Sequence, residues 1–577
     1  MPKSPTNYVS GNSPADKYLA RHNELKARKQ PWLNHYQRLA ESFLTRKSSF
    51  TSTISPGEFL YDDIFDNTGE YAALQAASAV QAMLWPDSSR TFRLKPVSSL
   101  ADQPGVEEFF RKGTERVRRF MDEPRAGFAL AAAEHFLDAQ VFGTSGIGVF
   151  ANPDAEDVSM PVIYEAWDIK AMCISENAQG FVDTIYATKS LSVRQILEKY
   201  DGGNGGDGQI HDNILELYRQ GKMEERVEVL EVIEPRPKRE RKGKEGRQGM
   251  PIRTIHIDLK NKFIMRESGM EEFPVAVGRT IKTIGEEYGR SPAMTALPDV
   301  NTLNALKEAL IVATEKQLDP PLGVLDDGRL GGGTVDTSAG GLNVFNASGR
   351  ISGEKPVFPI FTVGEMQSSE KLIEQLQRGI MQAFSLDRLL DLNNETQMTA
   401  YETSVRDRMR GNSLGALFGR QIAEVFTPVI QRTVRILFRR GMFYDSDTDI
   451  PEAVADAISR GEDVYEVEYV SPAQRYMQGE KLQGLLTTAE VISKLGVVPG
   501  AEDILDNMDW DAAARGLAMY SNAPAEILRP AEDVEAIRAG RAEAQSAQAQ
   551  LNAVQQMSEA GRNTGQMMAS IKQGGEQ

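Results

Sequence analysis

A helical pattern that opens at Ser291-Pro292 is stopped at Asp319-Pro320-Pro321, and helical spacing returns only beyond Phe361. Neither proline continues a helix, because each lacks an N–H and its ring collides with the preceding turn. Ser291 is suited to cap the first helix, with proline at the first helical position, and Leu303, Leu306, Leu310, Ala313 and Gln317 mark one face. Pro298 is expected to reset it. The excursion from Leu322 to Phe361 holds Gly331-Gly332-Gly333 and Gly340-Gly341. No Lys-Ser or Lys-Thr follows the triple glycine, so these read as turns rather than a phosphate cradle. Thr362 and Glu365 form a capping-box pair ahead of Leu372, Leu376, Ile380 and Phe384. Two helices therefore flank a compact, non-helical tip.

The chain around this pattern is too large for one core. Its 577 residues exceed the ~250–300 at which a single hydrophobic core stops growing. An apolar period of three or four residues through Leu25, Trp32, Tyr36, Leu39 and Phe43 predicts an opening helix with a break or first turn at Pro31. An Ala-rich helix, Tyr71 to Leu84, follows the cap candidates in Asp66-Asn67-Thr68-Gly69, and two more helices are expected over Val106–Met121 and Phe128–Phe142. From about residue 147 the period shortens to strands, clearest over Glu224–Ile233 and Ile252–Leu259. Asp201 to Gly208 is a flexible loop. The segment Pro235–Gly249 carries seven Lys or Arg against two Glu, a run that could touch nucleic acid; with no aromatic for base stacking, it reads rather as a solvated hairpin tip. After a polar stretch to Gln397, a long helix is expected over Met398–Met442, kinked near Val425–Thr427 by Pro428. Its part from Tyr401 to Arg440 holds eight Arg against three acids, cations that would line a nucleic-acid path or pair with acids of a neighbouring subunit. Beyond Ser471-Pro472 the pattern is helical, and Ala531–Gln577 is an Ala- and Gln-rich helix with a poor apolar stripe. The fold class is α+β, mainly helical.

Chemistry is hard to find in these residues. The one cysteine, Cys173, permits no intrachain disulfide. The five histidines, His22, His35, His135, His211 and His256, never take the i, i+4 spacing of a helical zinc site. Gly143-Thr144-Ser145-Gly146-Ile147 resembles a nucleophile elbow but has isoleucine where that turn needs glycine. The acid pairs Asp62-Asp63 and Asp326-Asp327 read as solvated, and no Walker or dinucleotide-binding fingerprint occurs. No catalytic residue, cofactor or metal is expected, and no secretory signal or membrane-spanning run is read. A net charge of −17 is unlike a protein that grips DNA through its phosphates.

Several strings, in order, resemble the head-to-tail connector, or portal protein, family of short-tailed bacteriophages. They begin with the Trp32-x-x-x-Tyr36 helix inside Arg21–Phe50, then Asp66-Asn67-Thr68-Gly69, Met83-Leu84 and Phe92-x-Leu94. Tyr288-Gly289-Arg290-Ser291-Pro292, Leu303-Asn304 and Asp319-Pro320-Pro321-Leu322 are the most specific. Met398-Thr399-Ala400-x-Glu402 with Arg406, and Asp506-Asn507-Met508-Asp509 with Pro524, complete the series.

The resemblance implies an elongated subunit in a homo-oligomeric ring of about twelve copies. Residues 1–290 would be a wing, 291–320 and 362–386 paired stem helices, and 321–361 a clip. Residues 387–397 would be a tunnel loop, 398–475 a kinked wing helix with a following strand, and 476–577 a crown or barrel. The implied function is a channel at one capsid vertex, through which double-stranded DNA is packaged and ejected. The implied partners are that DNA, the terminase packaging motor, major capsid and scaffolding proteins, and tail adaptors, in a virion assembled in the host cytoplasm without membrane insertion. Candidate channel residues are Arg388, Asn393, Asn394, Arg406, Arg408 and Arg410; candidate clip-docking residues are Leu325, Asp326, Asp327, Arg329 and Arg350. The rival readings are a virion scaffold or adaptor without a channel, and an unrecognised metal-dependent nuclease.

Overall fold

In the computed structural model, the described residues are 13–326, 336–346, 357–360, 367–386, 419–444, 450–469, 484–494, 509–520 and parts of 529–548, with short interruptions at 53, 56, 59, 61–62, 86–90, 102, 154–158 and 202–207. The chain divides into two compact units, Met1–Ala473 and Gln474–Gln577.

The first unit opens with α1 (Asp16–Phe43), whose buried Leu25, Lys29, Leu33, Tyr36, Ala40 and Phe43 recur at helical spacing. Pro31 lies inside α1 and does not break it. An interior proline costs about 3 kcal/mol, and burial of this long face on both sides of Pro31 offsets that. The helix α2 (Thr68–Leu84) begins where Asp66 Oδ1 accepts the Thr68 N–H at 2.8 Å, and its Ala72, Ala73, Ala76, Ala77 and Val80 are buried. After β1 (Phe92–Pro96) come α3 (Val106–Met121) and α4 (Phe128–Val141), within a residue of the expected spans.

Strands then dominate. The β2 (Thr144–Ala151), β3 (Val162–Trp167), β4 (Met172–Glu176) and β5 (Val182–Ser192) strands precede two short helices, α5 (Val193–Tyr200) and α6 (Asp212–Arg219). Next come β6 (Arg226–Pro235), a one-turn α7 (Lys238–Arg241), β7 (Ile252–Asp258), β8 (Phe263–Met270) and β9 (Val275–Arg279). The order β4-β5-β6-β7-β8 forms an antiparallel meander, and β3-β2-β9 a second antiparallel sheet. One face of the meander packs Cys173, Tyr186, Leu230, Val232, Ile255 and Ile257 with Leu25 of α1. Its other face meets Ile196 and Tyr200 of α5 and Ile214 of α6 through Val227, Val229 and Met265.

The expected helix–tip–helix pattern is formed by α8 (Pro292–Leu318) and α9 (Gln367–Ala383). Pro298 is accommodated inside α8 rather than resetting it, with Ala293, Ala296, Leu297, Val300 and Leu303 buried on either side. The tip is a small sheet, β11-β10-β12, of β10 (Leu322–Asp326), β11 (Leu342–Asn346) and β12 (Val357–Pro359), with β10 parallel to β11 and antiparallel to β12. A turn through Gly340-Gly341 starts it: Gly340 N–H donates to Asp319 O and Leu322 N–H to Gly341 O, both at 2.9 Å.

After helical residues 419–421, the chain widens into a π-helix, Ile422–Phe426, and continues as α10 (Thr427–Arg439). The sequence predicts a kink here; what Pro428 occasions is a wider turn, in which Thr427 N–H reaches back to Ile422 O. A π-turn shifts the hydrogen-bond partner by one residue, the standard accommodation for an interrupted ladder. After α11 (Glu452–Ser459), β13 (Tyr465–Tyr469) pairs antiparallel with β1. None of the described sheets closes into a barrel.

In the second unit the described parts are helical at 484–494, Trp510–Tyr520 and 536–546. Asp509 Oδ1 caps Asp511 and Ala512 at 3.0 and 2.9 Å, and Arg538 pairs with both oxygens of Asp511. Most of the expected helix Ala531–Gln577 lies outside the described residues.

One close approach ties α3 to the return segment. A Cβ on Gly113 would overlap the ring of Phe443, itself buried and wedged among Phe109, Phe110 and Phe438. Gly113→Ala gains about 1 kcal/mol of helix propensity but overpacks a filled core, which costs about 1–3 kcal/mol. A lowered thermal midpoint is expected; a raised one would show that Phe443 has room to move.

Candidate functional site: the seat of the helical hairpin

The α8–α9 hairpin is set into the first unit at two places, and a buried ionic anchor lies beside the first. The first is the start of α8. Ser291 Oγ donates to Val141 O at 2.7 Å and accepts the Met294 N–H at 3.2 Å. Beside it two backbones cross: Gly289 N–H donates to Thr144 Oγ1 at 2.7 Å, and a Cβ on Gly143 would lie 2.5 Å from Gly289 O. Gly143 also has φ +77°, a left-handed conformation that favours glycine. Gly143-Thr144-Ser145-Gly146 thus belongs to this seat.

Ser145 does meet a histidine, but deep in the core. Its Oγ lies 2.7 Å from His135 Nδ1 and 2.9 Å from His135 O, and His135 Nε2 lies 3.0 Å from Gln421 Oε1. Serine and histidine are each 1% exposed, and burial pulls the imidazole down to about 4. A nucleophile and base sealed from solvent and paired with packed side chains fasten elements together and have no access for a substrate. Here they fasten α4, β2 and the residue before the π-helix.

The second place joins α1, α2, α8 and α9. Asn304 Oδ1 accepts the N–H groups of Phe65 (2.7 Å) and Asp66 (3.2 Å), while its Nδ2 donates to Asp63 O at 2.8 Å. Asp66 Oδ2 in turn accepts Gln377 Nε2 at 3.2 Å from α9. Phe384 packs edge-on against Phe43 at 5.8 Å. Asp66, a cap candidate in the sequence, and Asn304, singled out there for resemblance alone, therefore hold one junction.

Beside Gly289 lies a buried ionic anchor. Arg279, at the end of β9, is 1% exposed. Its Nη2 donates to Glu424 Oε1 at 2.7 Å, its Nε to Glu424 Oε2 at 3.2 Å, and its backbone N–H to the same Oε2 at 3.0 Å. Arg420 adds a further donor at 2.8 Å, and Arg279 Nη1 also pairs with Glu176, which Lys282 shares. Glu424 stands within the π-helix, so the anchor fixes the register of this helix against β9.

The described arginines that follow are also engaged within their own chain. Arg432 donates to Val149 O (2.6 Å) and Glu272 (3.0 Å), with burial pulling its guanidinium down to about 10. Arg435 and Arg439 also pair with Glu272, and Arg440 with Asn152 O. The channel candidates Arg388, Asn393, Asn394, Arg406, Arg408 and Arg410 lie outside the described residues, as do Asp327, Arg329 and Arg350 of the tip. Leu325 and Asp326 close strand β10, opposite Phe345 and Asn346. Among the described residues no group of three His, Cys, Asp or Glu is placed to hold a metal ion, and no helix is long and apolar enough to cross a membrane.

From Asn304 outward α8 has no buried residue. Ile311 and Val312 are exposed, and Leu318 is 81% exposed. On α9, Leu372 is exposed too. The helix has 27 residues, about 40 Å at 1.5 Å each; in its outer half Leu306 and Leu310 still pack against the core, while Ile311, Val312 and Leu318 are left uncovered.

Two outcomes test this seat. Glu424→Ala leaves Arg279 buried with half its counter-charge, and breaking a buried pair costs about 3–5 kcal/mol. The expected result is a lowered thermal midpoint with faster hydrogen exchange across 419–444. Replacing both partners, Arg279→Met with Glu424→Leu, is expected to recover most of the loss. Unchanged stability in Glu424→Ala would remove the anchor. For His135, a folded value near 4 against 6.5 unfolded means that the unfolded chain binds the extra proton between those limits. This contribution is complete above pH 6.5 and lost as pH falls toward 4, by at most about 3 kcal/mol. Denaturation midpoints across that window are expected to fall less steeply in His135→Gln than in the unmodified chain.

Residues 15–528 match the family of bacteriophage head to tail connecting proteins. The chain is 25% identical over 538 residues to a protein of Bordetella phage BPP-1 described as a probable portal protein, spanning 92% of this chain and 91% of that one. It is 24% identical over 541 residues to the portal protein of Salmonella phage epsilon15, spanning 91% of each. A chain from the neck of an empty gene transfer agent particle aligns with 77% of this chain and 91% of its own length, at 13% identity and a TM-score of 0.34, too distant a likeness to carry any argument. With the family match running through the hairpin, its seat and its tip, this chain belongs to the bacteriophage head to tail connecting protein family.

Proposed function

We propose that this chain is a portal subunit: copies of it close into a ring at one capsid vertex, and double-stranded DNA passes through that ring during packaging and ejection. Family membership and the portal proteins it resembles support the reading. The single structural observation that carries it is the projecting half of α8. Exposed Ile311, Val312 and Leu318 are poorly suited to water, and a neighbouring copy of the same hairpin covers them in a closed ring. The location that follows is the head–tail junction of the virion.

The finer parts rest on the same reading. The ring has about twelve copies. The β10–β12 tip receives the terminase motor and later the tail adaptors, while capsid and scaffolding proteins meet the wing. Residues 387–397 line the narrowest part of the bore, with Arg388, Asn393 and Asn394 among them. Force comes from a separate motor, since the sequence carries no nucleotide-binding fingerprint. The net charge of −17 per copy suits a bore that guides a phosphate backbone without counterion-release binding at each step.

Negative-stain imaging of the purified protein tests the ring. Particles with a central hole of duplex width are expected; a compact monomer would favour the adaptor reading instead. Deletion of Asp387–Gln397 is expected to spare ring assembly and to impair retention of packaged DNA. Normal retention in such rings would sink the assigned role of that loop.

A further inference from the structure

Residues 236–251 join β6 to β7, and two kinds of cation stand out on and beside this connection. Arg236 is 2% exposed and donates to the carbonyls of Arg247 (3.1 Å), Met250 (3.3 Å) and Ser268 (3.1 Å), and to Gln248. Arg253, buried on β7, pairs with Glu240 of α7 and donates to Tyr18 Oη of α1 at 2.8 Å. Two buried guanidiniums thus hold the limbs of the tip, and one of them takes up the charge of Glu240. The second kind faces water. Lys238, Arg239, Lys242 and Lys244 are exposed and close no ion pair among the described residues, and Lys17 of α1 is near enough to act on Glu240.

A connection that is merely solvated has no need of buried arginines to order it, because burying a charge is costly unless several hydrogen bonds repay it. What the ordering does accomplish is to hold exposed cations in a fixed array. The chemistry of that array selects its partner. No aromatic lies in Arg236–Gly249, which rules out stacking on splayed bases. No large apolar side chain is exposed there either, so it lacks the anchor of a protein interface, where lysine is also depleted. Duplex phosphates need neither, only positioned Lys and Arg.

We propose that the β6–β7 tip is a docking surface for the phosphate backbone of a nucleic-acid duplex, separate from the channel candidates at 388–410. The inference stands on the tip alone and does not require the ring.

The test is binding of the full chain to a short fluorescent DNA duplex of unrelated sequence, with salt varied from about 50 to 200 mM. The variant Lys238→Gln, Arg239→Gln, Lys242→Gln, Lys244→Gln is expected to weaken binding at least tenfold at low salt. Its log–log salt slope should be shallower by about 0.9 for each phosphate that is no longer neutralised. A control variant, Lys112→Gln, Arg194→Gln, Arg219→Gln, Lys222→Gln, removes the same charge at exposed positions elsewhere and is expected to bind as the unmodified chain does. Arg236→Met keeps the four cations but loosens their backbone, and weaker binding is expected there as well. Circular dichroism confirms that each variant is folded. Equal losses in both quadruple variants would reduce the effect to net charge and overturn the proposal. It is overturned equally by full binding in the tip variant or in Arg236→Met, or by an unmodified chain that binds anionic vesicles and no duplex. Imaging of the same samples keeps the outcome distinct from ring formation.

Discussion

The pairing of Arg279 with Glu424 is the constraint around which the first unit is arranged. It joins the last strand of the β3-β2-β9 sheet to the segment that returns after residue 418, and it does so where both groups are almost wholly out of water. A buried pair is weak evidence for net stability, but removal of either partner is severe because the other is left uncompensated. The pair therefore acts as a register pin. A slip of one residue along the return helix would bring Val425 or Ala423 to the guanidinium, and neither compensates a charge. The neighbouring contacts of Gln421 with His135 and of Arg432 with Val149 and Glu272 are correct only in that same register.

Much of the framework could be read from the chain itself. Helices α3 and α4 were legible because their apolar spacing and flanking glycines agree, and the hairpin because prolines stop it sharply. Pro31 and Pro298 misled, since a local rule predicts a break wherever the ring removes an N–H, whereas burial of the flanking turns outweighs that loss. The Leu322–Phe361 excursion revealed turns but no strands: its pairing joins residues far apart in sequence, and glycine obscures the alternation. The seat was legible at Ser291, a local cap, and at nothing that depends on a crossing of distant backbones. No spacing rule brings Gly143 beside Gly289, or Glu272 beside Arg432. Glu424 carried no such signal: at ordinary helical spacing it falls off the apolar stripe of Ile422, Val425 and Val429.

Basic residues divide into internal fasteners and displayed charge. Arg236, Arg253, Arg279 and Arg432 are buried and bonded within the chain. Buried acids, Asp138, Glu231, Glu234, Asp258 and Glu424, offset them, so the surface keeps the acidic balance of a chain of net charge −17. The basic β6–β7 tip stands out against that balance.

The free outer half of α8 has an evolutionary consequence. A side chain there, such as the exposed Ile311, is under weak selection for the folding of its own subunit, because that subunit covers it only in part. In a closed ring the same position recurs at every junction, so a change of about 0.5 kcal/mol at each one accumulates to several kcal/mol over the assembly. Mutations that are silent in the isolated chain are thereby exposed to selection on the particle. Drift along this helix is policed by the collective rather than by the individual fold.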